Sequence, residues 1–150
     1  MLEALNMPEV AVVDYGMGNL LSVRRGFEHC GATVMVTSDP DIILSAPRVV
    51  LPGVGAFKDG MAELRSLGLD TVVREVAARG RFLLGICLGM QMLLDESEEF
   101  GVTEGLGIIP GHVVPVPSTM VDGLSQKIPH VGWNSLVLSE GLENWQGGLL

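Results

Sequence analysis

The chain is poor in several things, and each shortage excludes a class of protein. It has only two cysteines, Cys30 and Cys87, in 150 residues, and no Cys-x-x-Cys pair. That excludes a disulfide-stapled scaffold and a cysteine-rich zinc site, and it fits a reducing cytoplasm. Three histidines, His29, His112 and His130, stand far apart, so no His-x-x-x-His metal pair exists. Basic residues are few, 9 Lys and Arg against 18 Asp and Glu, for a formal net charge of -9. So acidic a surface repels phosphate backbones and anionic lipid heads, which argues against nucleic-acid and membrane partners. No apolar run has the length of a bilayer span. Met1 to Glu9 carry two acids and no Lys or Arg, unlike a signal peptide. Charged residues are only 18% of the chain and hydrophobic ones 47%, which excludes a disordered polymer.

What is present is an alternation of short β-branched runs with amphipathic segments. Val10-Ala11-Val12-Val13 is continuously apolar, as strands buried on both faces are. Asn19 is placed to cap a helix whose stripe is Leu20, Val23, Phe27 and Cys30, and Gly31 to end it. That stripe assigns Cys30 to the core. Thr33 to Thr37 and Arg48 to Leu51 read as the second and third strands, with one or two helical turns from Asp39 to Leu44 between them. Met61 to Leu67 and Leu69 to Arg79 read as a helix broken at Gly68 and stopped at Gly80. Arg81 to Ile86 reads as a fourth, buried strand and Leu88 to Leu94 as the helix that follows. Ile108 to Val116 and Ile128 to Val137 are rich in Pro and Gly and suggest antiparallel or irregular β additions. Strand–helix alternation of this kind implies an α/β, doubly wound, mostly parallel sheet with flanking helices. In such sheets the site lies beyond the carboxyl ends of the strands, here at Asp14 to Asn19, Pro52 to Phe57 and the junction around Cys87.

Gly85-Ile86-Cys87-Leu88-Gly89 has the form Gly-x-nucleophile-x-Gly between a strand and a helix. A strained turn exposes the nucleophile, and the residues two before and two after come so close that side chains there would clash. The free N–H groups of the following helix favour thiolate, the reactive form. A free cysteine is by default a buried structural residue; the glycines and the strand–turn–helix setting make Cys87 the candidate nucleophile. The N–H of Leu88 and the glycine-rich loop Pro52-Gly53-Val54-Gly55-Ala56-Phe57 are candidate donors to an oxyanion, although such glycines also occur in plain βα turns.

Taken together, Pro52 to Phe57, then Gly85-Ile86-Cys87-Leu88-Gly89-Met90-Gln91, then Pro129-His130-Val131-Gly132-Trp133-Asn134 closely resemble class I (triad-type) glutamine amidotransferases, whose fold is flavodoxin-like. With Asp14-Tyr15-Gly16-Met17-Gly18-Asn19-Leu20, the set resembles the glutaminase subunits of imidazole glycerol phosphate synthases, of histidine biosynthesis. The resemblance implies that Cys87 attacks the side-chain amide of L-glutamine, forming a glutamyl thioester and releasing ammonia. It implies an oxyanion hole from the backbone of Val54, Gly55 and Leu88, and substrate contacts from Gln91 and Glu99. By spacing alone Glu99 would equally be a solvated acid in the run Asp95 to Glu99. The resemblance further implies no cofactor, and a cyclase partner, a (β/α)8 barrel that receives the ammonia in a heterodimer. Asn19, Trp133 and Asn134 would lie at that junction. A tryptophan near a site mouth suits an interface anchor, and equally an ordinary half-buried core residue. A dinucleotide site at Gly16 to Asn19 is disfavoured, because Leu21 stands where a third glycine belongs.

One departure is plain. The family's base, a histidine with an orienting glutamate in a Phe-His-Pro-Glu-like motif, has no counterpart in these 150 residues. The expectation is therefore a single amidotransferase domain over 1–150 whose C-terminal block is missing, inactive by itself. The alternatives are a paralogue that aminates surface-polysaccharide sugars, a non-catalytic interaction module, and a cysteine hydrolase of the same broad fold. The 150-residue chain is predicted to release little or no ammonia from glutamine. Turnover matching that of a longer family member, in a coupled glutamate assay, would overturn this.

Overall fold

The computed structural model describes residues 8–118, 123, 127–129, 131–133 and 135. The chain divides into two compact units, Met1–Pro115 and Val116–Leu150. In the first unit four parallel strands form the central sheet, in the order β2-β1-β3-β4. They are β1 (Val10–Val13), β2 (Val34–Thr37), β3 (Arg48–Leu51) and β4 (Phe82–Gly85). Among the described residues five helices connect and flank them: α1 (Leu20–His29), α2 (Pro40–Ser45), α3 (Phe57–Ser66), α4 (Leu69–Ala78) and α5 (Leu88–Met92). No described helix is long and apolar enough to cross a membrane.

Strand β1 shows why the sheet is doubly wound. Its four residues are all buried, and alternate ones point to opposite faces. Ala11 and Val13 join a core with Ile43 of α2, Phe57, Met61 and Leu64 of α3, Val72, Val73 and Val76 of α4, and Leu88 and Met92 of α5. Val10 and Val12 join a smaller core on the other face, where Leu20, Val23 and Phe27 of α1 pack. The expected doubly wound, mostly parallel α/β sheet is thus present. Asn19 caps α1 as anticipated, its Oδ1 accepting from the Ser22 N–H at 3.2 Å. Gly68, with φ of +67°, separates α3 from α4.

The structure corrects several expectations. Cys30 is exposed, not in the core, because it caps the C-terminus of α1, where the chain turns away from the stripe that Leu20, Val23 and Phe27 form. Strand β4 is not buried on both faces; among the described residues it stands at the sheet edge, with Phe82 75% exposed. Helix α3 begins at Phe57, four residues before Met61, the start that the apolar spacing suggested. The acidic stretch from Asp95, whose sequence shows no strand alternation, contributes β5 (Glu96–Ser97). That strand pairs antiparallel with β6 (Thr103–Glu104) and parallel with β7 (His112–Val113). The β addition expected over Ile108 to Val116 is therefore two residues of β7, and it runs parallel to its neighbour. Of the β addition expected over 128–137, residues 128, 129, 131–133 and 135 are described, and none of them lies in a strand.

Arg74 ties the segment between β6 and β7 to α4. Its guanidinium donates to the Leu106 carbonyl at 2.9 Å, the Gly105 carbonyl at 3.1 Å and Asp70 Oδ2 at 2.9 Å. A planar fork serves several acceptors at once, which an ammonium cannot imitate. Arg74→Met should lower stability by about 1–2 kcal/mol in urea unfolding, with Arg74→Lys recovering little of it. Full recovery by lysine would show that charge alone matters there.

Candidate active site

The carboxyl ends of β1, β3 and β4 converge, and the loops beyond them meet. Cys87 follows β4 by two residues and occupies the N-cap position of α5 with φ of +55° and ψ of -118°. Among the described residues it is the only non-glycine with positive φ. Such a conformation costs about 1–3 kcal/mol and persists only where the surroundings enforce it. Two close approaches enforce it here. A Cβ added at Gly85 would sit 2.5 Å from Met90 Cα and 2.7 Å from its nitrogen. A Cβ added at Gly89 would collide with the carbonyl oxygen of Leu51, at the end of β3. The glycine pattern thus has the steric origin expected of it, with one difference. Gly89 is held bare by the neighbouring strand and not by Gly85. The Cys87 thiol is exposed.

The Pro52–Ala56 loop lies directly against this turn. A Cβ at Gly53 would be 2.9 Å from Leu88 Cβ and 3.0 Å from the Gly89 nitrogen. Beyond it Val54 is half exposed, and Gly55, with φ of +99°, packs near the methyl group of Met17. The Pro52–Ala56 loop therefore touches both the first loop and the elbow.

Gln91 is partly buried one turn into α5, where its N–H donates to the Cys87 carbonyl at 3.2 Å. Glu99 is not a free surface acid. Its Oε2 accepts from the Phe57 N–H at 2.9 Å, across 42 residues. Ala56, the N-cap of α3, provides no side-chain cap, so this carboxylate does so from a distant segment. Glu99 Oε1 makes no hydrogen bond among the described residues. Asn19 is exposed with its side chain engaged as the α1 cap. Trp133 is fully exposed. Asn134 and His130 lie outside the described residues. His29 is exposed at the end of α1, and His112 Nδ1 pairs with Glu96 Oε1 at 2.8 Å in the small sheet. Neither bonds to Cys87.

A family model, glutamine amidotransferase class-I, matches residues 11–148. The chain belongs to the class I glutamine amidotransferase family. Among curated relatives, the chain is 54% identical over 139 residues to "Imidazole glycerol phosphate synthase subunit HisH 1" of Legionella pneumophila (strain Lens), covering 93% of this chain and 65% of that protein. It is 50% identical over 131 residues to "Imidazole glycerol phosphate synthase subunit HisH" of Geobacter sulfurreducens, covering 87% of this chain and 63% of the relative. The chain thus spans just under two thirds of the length of these relatives. A solved structure described as "Crystal structure of glutamine amidotransferase" superposes with a TM-score of 0.60 at 20% identity, over 70% of this chain and 55% of the other. That likeness bears out the amidotransferase fold.

The residue that sequence reasoning missed is Tyr15, the sole tyrosine of the chain. It is buried to 1% exposure, and its hydroxyl donates to the Pro52 carbonyl at 2.8 Å. The signal was available, because a tyrosine closing a buried strand needs a partner for its hydroxyl. Burial, and secondarily the negative charge of Cys87, push its pKa from 10.0 up to about 12. The raised value means the folded chain holds this proton where the unfolded chain has lost it. The associated stability, roughly 2–3 kcal/mol, is full below pH 10 and is lost as pH rises towards 12. Phenolate absorbance reports this group alone. It should show a midpoint near 12 in the folded chain, and a lower one in Cys87→Ala. A midpoint near 10 in both would contradict the burial and the proximity.

Proposed function

We propose that this chain is the glutamine-hydrolysing part of an imidazole glycerol phosphate synthase, acting in the cytoplasm. The observation that carries the reading is Cys87 held at positive φ between Gly85 and Gly89 with the Pro52–Ala56 loop against it. The family membership and the names of the Legionella and Geobacter relatives support it. Those names favour histidine biosynthesis over the sugar-aminating alternative.

In this reading the Cys87 sulfur attacks the side-chain carbonyl carbon of glutamine. The carbonyl electron pair moves to oxygen, where the backbone N–H groups of Val54, Gly55 and Leu88 receive it. Collapse breaks the C–N bond. The nitrogen leaves with a proton as ammonia, and a glutamyl thioester remains. Water then adds to the thioester, giving glutamate and restoring the thiol. Gln91 holds the amino-acid end of the substrate, and Glu99 accepts from its ammonium. The carboxylate has one oxygen bound to Phe57 and the other available, so both duties fit one side chain. The family resemblance assigns the base to a histidine on a late strand, in a motif that residues 1–150 do not contain.

Ammonia delivered to a cyclase barrel requires a docking face. Asn19, Trp133 and Asn134 are the residues proposed for it. A tryptophan exposed on its own segment suits an interface anchor.

A γ-glutamyl chloromethyl ketone should label Cys87 in preference to Cys30, although both thiols are exposed. Peptide mass spectrometry checks the site, and Cys87→Ser should lose most of the label. Equal labelling of that variant and the parent protein would sink the assignment.

A further inference from the structure

The loop that carries the proposed oxyanion donors is held from outside at both ends. Glu99 holds the Phe57 N–H, and Tyr15 holds the Pro52 carbonyl. The second contact reaches furthest into the site. The Pro52 carbonyl belongs to the rigid peptide plane joining Pro52 to Gly53, so fixing that oxygen fixes the plane. Gly53 is in turn wedged between the Tyr15 hydroxyl and the start of α5. A Cβ there would be 2.5 Å from the hydroxyl oxygen and 2.9 Å from Leu88 Cβ. Beyond this fixed plane, the directions of the Val54 and Gly55 N–H groups depend only on the torsions of Gly53 and Val54.

We propose that Tyr15 is a positioning residue for the oxyanion site, its hydroxyl setting the distance and orientation of the Pro52–Gly55 backbone relative to Cys87. The proposal rests on the reading of Cys87 as an acyl-accepting nucleophile. Among the described residues no other side chain bonds the Pro52 carbonyl. The hydroxyl also holds its proton, since burial pushes its pKa up to about 12.

The test separates oxyanion stabilisation from general integrity. Cys30→Ser leaves Cys87 as the one thiol. In that background the parent and Tyr15→Phe are compared at pH ~9.5, where thiolate forms without a base. Iodoacetamide alkylates sulfur by displacement at carbon and builds no oxyanion. With p-nitrophenyl acetate the sulfur attacks a carbonyl, the electron pair moves to oxygen, and collapse expels p-nitrophenolate as the thioester forms. Tyr15→Phe should slow acylation about tenfold or more and leave alkylation within about twofold. Unchanged acylation would overturn the proposal. Equal slowing with both reagents would also overturn it, since that is the mark of a merely structural tyrosine.

Should Tyr15→Phe fail to fold, global 3-fluorotyrosine substitution alters this one phenol and keeps the hydroxyl. A changed acylation rate at constant alkylation supports the role, and an unchanged one overturns it. In the parent, acylation no faster than that of N-acetylcysteine at matched alkylation would mean that no oxyanion site exists. The underlying reading would then fail, distinguishably, and the Tyr15 role with it.

Discussion

The site depends on one contact from which a side chain is excluded. The α-carbon of Gly89 lies against the carbonyl of Leu51, close enough that even a methyl group would collide with it. The same carbonyl accepts from the Ile86 N–H at 3.0 Å, so it locks both sides of the turn that contains Cys87. The chain between Ile86 and Gly89 has to reverse within two residues, and Cys87 takes the left-handed conformation that results. Packing offsets that strain. Leu88 and Met92 of α5 are fully buried, and Gly60 of α3 leaves them room, since a Cβ there would be 2.9 Å from Leu88 Cδ2. An exposed sulfur is thus held by a turn whose flanking glycines leave no room for a side chain.

Around that turn the polar groups do structural and chemical work together. Glu99 caps α3 with one oxygen, and Asn19 caps α1. Both helices start where a loop of the site ends. Capping residues at these places define where each loop stops, so the site's shape follows partly from helix termination. Among the described residues every fully buried side-chain polar atom has a partner. Neither Tyr15 nor Glu99 is therefore an unresolved polar group; each has a defined acceptor or donor on the loop that carries the proposed oxyanion donors.

Much of this was legible in advance, for identifiable reasons. Strands β1 and β3 match the runs Val10 to Val13 and Arg48 to Leu51 residue for residue, because continuous β-branched sequence has few other uses. The elbow was legible because glycine spacing reflects local sterics, and Gly85 and Gly89 carry that signal without reference to the rest of the chain. The start of α3 was not legible. Phe57 begins the helix because Glu99, far along the chain, caps it, and nothing near Ala56 announces this. Strands β5 to β7 were missed or misplaced because two residues are too few to show alternation. The exposure of Cys30 was missed because helical spacing continued one residue past the point where the helix leaves the core. Tyr15 went unread because its partner is a backbone carbonyl, which every residue possesses.

The two anchors of the Pro52–Ala56 loop join residues 37 and 42 positions apart. Neither forms by local collapse. Each needs the crossover between parallel strands to be closed first, with its loop-closure entropy already offset by burial. The geometry around Cys87 is accordingly a property of the assembled sheet. An isolated segment holding the elbow sequence would have the thiol but not its setting.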